Sequence, residues 1–136
     1  MDCVGSFIEG NRYYDKGFDR TNPLDTRNFR MAARFYEGAI SMCSGGEYED
    51  DAIFSLAGCY FYLGEYLKTA QLYEQLASRF PGSDYNFNQY CALEGQFLRS
   101  CKDDSAIEYL RRGNLYEMAE SWEQALQEYR LANDYA

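Results

Sequence analysis

A chain of 136 residues and 15.8 kDa has room for one structural unit or a short repeat array, and 46% hydrophobic, 18% aromatic and 26% charged residues exclude a disordered or fibrous polymer. Thirteen basic against 22 acidic side chains give a net charge of −9 and a pI near 4.4, which excludes general adhesion to nucleic acid or to an anionic membrane. Histidine is absent, so no Ser-His or Cys-His nucleophile pair and no histidine-ligated metal can form.

In chain order, residues 3 to 19 carry Phe7, Ile8, Tyr13, Tyr14 and Phe18 and are read as a helix. Gly5, Gly10 and Gly17 weaken that reading by about 1 kcal/mol each relative to alanine. Beyond Asn22-Pro23, the positions Phe29, Ala32, Ala33, Tyr36, Ile40 and Cys43 recur at three-and-four spacing and predict a helix that stops before Gly45-Gly46. The acids Glu47, Glu49, Asp50 and Asp51 stand where the next helix begins, beside free amides and the positive end of its dipole. Ile53, Leu56, Ala57, Tyr60 and Leu63 predict a helix over 49–63. Gly64-Glu65 interrupts it, and Tyr66, Thr69, Ala70, Tyr73, Leu76, Ala77 and Phe80 predict a second that ends at Pro81-Gly82. Asn86 to Cys101, with Phe87, Tyr90, Cys91, Phe97 and Leu98, reads as a further helix. Ala106, Tyr109, Leu110, Gly113 and Tyr116 then mark one stripe, and Trp122, Ala125, Leu126, Tyr129 and Ala132 another, with a break at Glu120-Ser121. The fold class is therefore all-α, with roughly seven helices and no strand.

Five scattered cysteines, Cys3, Cys43, Cys59, Cys91 and Cys101, contain no C-x-x-C pair and read as reduced packing residues. The N-terminus lacks the basic start and apolar run of a secretory signal, and no apolar stretch approaches about 18 residues. A soluble, cytoplasmic protein is the expectation. No glycine-rich phosphate loop, H-E-x-x-H or G-x-S-x-G is present, and Glu94 is a lone carboxylate in a partly apolar run, so neither catalysis nor a cofactor or metal site is expected.

From Asp50 to Pro81 the chain resembles a tetratricopeptide repeat of roughly 34 residues. Leu56, Ala57 and Tyr60 fit its first helix, Gly64 and Tyr66 the turn, and Thr69, Tyr73, Leu76 and Pro81 the second helix and terminator, with Thr69 and Leu76 in place of the usual alanines. Tyr109, Gly113, Tyr116, Trp122, Ala125, Tyr129 and Ala132 repeat the pattern, and Ala32, Tyr36 and Ala39 fit the second helix of an N-terminal unit. Spacing departs from the family, because Gly64-Glu65 and Glu120-Ser121 lie 56 residues apart, 22 more than one repeat. Either an extra helix intervenes, or Asn86–Cys101 pairs with 104–118 and the last helix is a cap. The ending from Ala125 to Tyr135 also resembles the helical sheet of the soluble NSF attachment proteins.

The resemblance implies a short right-handed α-solenoid of about three antiparallel hairpins, with units near 3–45, 49–82 and 84–136, whose first helices line a concave groove. The implied groove positions are Asp51, Phe54, Gly58, Phe61 and Tyr62, then Ile107, Leu110, Asn114, Glu117 and Met118. Family members that clamp a chaperone's C-terminal carboxylate need basic residues there, and Phe54, Gly58, Ile107 and Leu110 stand in their place. An apolar helical or extended protein segment is the better fit, with one basic residue to meet Asp51 or Glu117.

Tyr60, Tyr73, Tyr116, Trp122 and Tyr129 read as core. Phe54, Phe61 and Tyr62 make the 53–62 stretch apolar around much of its circumference, so neighbouring helices, a partner or a second copy must cover them. Residues 12 to 34 hold six basic and three acidic side chains, and Arg27, Arg30 and Arg34 share one helix side, which reads as a solvated face or a dock for an acidic partner. The leading expectation is a non-catalytic interaction scaffold. A small chaperone or vesicle-trafficking adaptor, and a subunit of a larger assembly, are the alternatives.

Overall fold

The apolar spacing becomes seven α-helices in a computed structural model that describes residues 1–100 and 104–135. They are α1 (Cys3–Gly17), α2 (Arg27–Met42), α3 (Glu49–Tyr62), α4 (Tyr66–Arg79), α5 (Tyr90–Ser100), α6 (Ser105–Met118) and α7 (Trp122–Tyr135), with a 3-10 segment, Asp84–Gln89, before α5. No strand occurs among the described residues. Packing follows chain order: α1 lies against α2, α2 against α3, α3 against α4, α4 against α5, and α6 against α7.

Two turns explain how the hairpins reverse. After α3, the Gly64 amide donates to Phe61 O and the Glu65 amide to Tyr60 O, with Gly64 at φ +80°. After α6, Glu120 donates to Glu117 O and Ser121 to Tyr116 O, with Glu120 at φ +60°. Both are the paired 6→1 and 5→2 closure that ends a helix in a left-handed residue. Glycine adopts that conformation without strain at position 64, whereas Glu120 does so with a Cβ.

The core has two connected parts. Ala32, Ala33 and Tyr36 of α2 meet Leu56 and Cys59 of α3, flanked by Phe7, Tyr13 and Tyr14 of α1. Ile53 and Ala57 of α3 meet Tyr66, Ala70, Tyr73 and Leu76 of α4, Cys91 and Leu98 of α5, and Ile107 of α6. The helical glycines that lower propensity in α1 earn their places through close approach. A Cβ on Gly10 would lie 2.6 Å from the Tyr36 ring, and the same holds for Gly113 against Tyr129. In both hairpins the tyrosine hydroxyl then donates to the asparagine after the glycine: Tyr36 to Asn11 at 2.5 Å, and Tyr129 to Asn114 at 2.7 Å.

Several expectations are corrected. The helix read from Asn86 starts only at Tyr90, because Asn88 and Gln89 have φ of +52° and +60°, and Phe87 is left 75% exposed. Trp122, read as core, is 62% exposed on the first turn of α7. Tyr73 is buried, while Tyr60, Tyr116 and Tyr129 are half-buried. Cys3 and Cys43 are not separate reduced residues: they form a disulfide with Cα atoms 5.8 Å apart, joining the start of α1 to the end of α2. Cys59 and Cys91 are buried free thiols, and burial pushes them up to about 12 and about 11. Cys101 lies outside the described residues.

The acidic start of α3 does more than meet the dipole. Glu49 is buried, accepts from the Gly45 amide at 2.5 Å and from Arg79 at 2.6 Å, and so ties the α2–α3 loop to the end of α4. Burial works to raise its pKa, but the Gly45 amide and the Arg79 guanidinium outweigh it and hold the carboxyl below its ordinary value. A carboxyl lowered by folding contributes stability above its unfolded pKa, and that contribution is lost as pH falls through the folded value. Arg79→Ala should therefore cost about 1–3 kcal/mol in urea unfolding at pH 7, and the cost should shrink as pH falls through the folded pKa of Glu49. Glu120→Gly should stabilise by about 0.5–1 kcal/mol in the same assay, since the exposed Arg20–Glu120 pair it removes contributes little.

Candidate functional site

A cavity of about 590 Å3 opens where α1, α3, α5 and α6 converge. Its wall on α3 is Phe54, Ser55, Gly58, Phe61 and Tyr62, one and two turns apart, partly buried against rings of α2 and α4. From α6 come Ile107, Leu110 and Asn114, again one turn apart, and from α5 come Tyr90, Glu94, Phe97 and Leu98. Tyr14 of α1 and Tyr73 of α4 complete it. The aromatic side chains are fixed by one another. Phe54 stacks on Tyr85 with centroids 4.2 Å apart, Phe61 meets Tyr62 edge to face at 5.3 Å, and Tyr62 stacks on the buried Phe29 at 5.0 Å. Gly58 matters through close approach, since the Tyr14 hydroxyl sits 3.0 Å from where its Cβ would stand.

Of the groove positions named from sequence, Phe54, Gly58, Phe61, Tyr62, Ile107, Leu110 and Asn114 line this one cavity. Ile107 is fully buried and forms floor rather than rim. The other three do not line it. Asp51 accepts from the Tyr85 hydroxyl at 2.5 Å, Glu117 shares the Tyr129 hydroxyl proton with Asn114 at 2.7 Å, and Met118 is 53% exposed at the end of α6. Each of these acids meets a tyrosine hydroxyl of the chain and neither lines the cavity. Arg27 pairs with Asp25 at 2.7 Å, while Arg30 and Arg34 are exposed with no acidic partner among the described residues.

Tyr14, Tyr73, Tyr90 and Glu94 were not foreseen as groove residues. Tyr14 stands four residues after Gly10, as Phe61 stands four after Ala57, and alignment on the small residue facing the second helix reveals it. Tyr90 and Glu94 depend on the placement of α5, which spacing left open.

The lining is mostly aromatic and apolar. Burial pushes the phenols of Tyr14, Tyr62, Tyr73 and Tyr90 upward, so they remain neutral. Burial likewise raises Glu94, the one carboxylate in the lining among the described residues. Glu108, beside the cavity, behaves oppositely: its bond to Arg111 lowers it, against burial, and Tyr66 also donates to it at 2.7 Å. No group of three or more Cys, Asp or Glu is placed to hold a metal ion among the described residues. No helix among them is long and apolar enough to cross a membrane. No protein-family model, curated protein or solved structure matches the chain, so the site's own geometry has to indicate its use.

Proposed function

We propose that this chain is a short tetratricopeptide-like scaffold, without catalytic function, that binds a helical or extended protein segment in the cavity between α3, α5 and α6. One observation carries the reading: side chains two and more helices apart in sequence, from Phe54 to Leu110, converge on a single aromatic concavity large enough for two or three apolar side chains. The repeated glycine–tyrosine–asparagine contact in the first and last hairpins, and the repeated left-handed turn after α3 and α6, support kinship among the hairpins. Apolar groups entering the cavity gain about 25 cal/mol per Å2 of surface removed from water, and the rings that receive them are already held by their neighbours, which limits the ordering cost.

A second reading, a subunit of a larger assembly, is favoured by Trp122 and Leu126, which are 62% and 50% exposed one turn apart on α7. Light scattering separates the two: a stable monomer over a range of concentration leaves the groove free for a separate ligand, whereas a persistent oligomer supports the assembly role.

Phe61 is the direct probe of the groove. Phe61→Glu should leave helical circular dichroism and the melting temperature nearly unchanged, and should abolish capture of an apolar segment. Collapse of the melting temperature would instead assign Phe61 to the core.

A further inference from the structure

The cavity contains one group that an apolar ligand leaves unexplained. Glu94 stands on α5 one turn beyond Tyr90, close enough to Tyr73 and Tyr90 for its charge to raise both phenols. Among the described residues no cation and no hydrogen-bond donor meets its carboxylate. The acids around it are different. Glu74 and Glu108 hold Arg99 and Arg111, and Asp51 and Glu117 accept from tyrosines. An ionised carboxylate half-buried beside aromatic rings loses hydration and here gains no partner in return.

Its surroundings suit a cation. Phe54, Tyr73 and Tyr90 pack against one another, with centroids 6.1 Å apart for Phe54–Tyr73, 6.0 Å for Tyr73–Tyr90 and 6.5 Å for Phe54–Tyr90, and all three line the cavity with Glu94. Aromatic faces attract ammonium and guanidinium groups, and a nearby unpaired carboxylate adds a Coulomb attraction that desolvation strengthens. Among the described residues no lysine or arginine lines the cavity. The net charge of −9 also draws basic segments toward the chain at long range.

Building on the groove reading above, the geometry points to a lysine or arginine side chain of the bound segment as the occupant of the corner formed by Phe54, Tyr73, Tyr90 and Glu94. Apolar neighbours of that cation lie toward Phe61 and Leu110. The selectivity is therefore for a hydrophobic segment carrying one basic residue, and the acid it meets is Glu94, in place of Asp51 or Glu117.

The test uses three dye-labelled, capped decapeptides rich in leucine and phenylalanine, identical except for a central lysine, norleucine or glutamate, titrated with the full chain by fluorescence anisotropy at low salt. The lysine probe should bind about tenfold tighter than the norleucine probe, and the glutamate probe weakest. Glu94→Gln, with folding verified by circular dichroism, should bring the lysine affinity down to the norleucine level. Equal lysine and norleucine affinities, or a lysine preference that survives Glu94→Gln, overturns the cation site. In that case norleucine binding that is lost in Phe61→Glu still supports the groove. Failure of all three probes to bind at millimolar concentration overturns the groove reading and the cation site together.

Discussion

The structure depends on how α3 is covered. Ala52, Ile53, Leu56, Ala57 and Cys59 are buried, and the partly buried Phe54, Phe61 and Tyr62 add apolar surface between them, so apolar side chains cover nearly the whole circumference of this helix. One neighbour cannot satisfy such a helix. Packing α2 and α1 on one side and α4 on another consumes two faces, and the third faces the space between α5 and α6. The cavity is what remains when a helix with too much apolar surface is shared among sequential neighbours. A paired hairpin arrangement explains the presence of a hydrophobic concavity beside the core.

Aromatic side chains against small residues set the spacing. Gly10 and Gly113 bring whole helices close enough for Tyr36 and Tyr129 to lie flat on the opposite backbone, and the hydroxyls are then satisfied by Asn11 and Asn114. The propensity cost of glycine in a helix is offset by this approach. The Cys3–Cys43 disulfide ties the open end of the first hairpin, and Glu49 with Arg79 ties the corresponding ends of the next pair. These ties hold α1 and α3, which carry one side of the site.

Helix identity and most boundaries were legible in the sequence because the three-and-four spacing is strong and the breaks carry glycine, proline or a left-handed residue. Gly64-Glu65 and Glu120-Ser121 are instances, as is Pro81 after α4. What spacing could not give was which apolar positions face a neighbour. Trp122 has the periodicity of a core residue, yet it begins the last helix, where no following element packs on it. Phe87 matches a helical pattern, but the two left-handed residues after it turn the chain before α5 begins. Cys3 and Cys43 are 40 residues apart, so their pairing needs the α1–α2 hairpin in three dimensions. Glu94 reads as a surface acid in sequence and becomes part of the site only when α5 is laid across from α3.

The central claim is that the third face of α3 stays open to ligands while its other faces are closed. Solvent paramagnetic relaxation of assigned aromatic and methyl NMR signals measures this in the isolated chain with a soluble nitroxide. The account predicts strong broadening for the Phe61 ring and the Leu110 methyls, and little for Phe29 and Tyr36, which are 0% and 1% exposed. Phe61 and Leu110 signals as sharp as those of Phe29 would contradict it, because the face would then be closed within the folded chain.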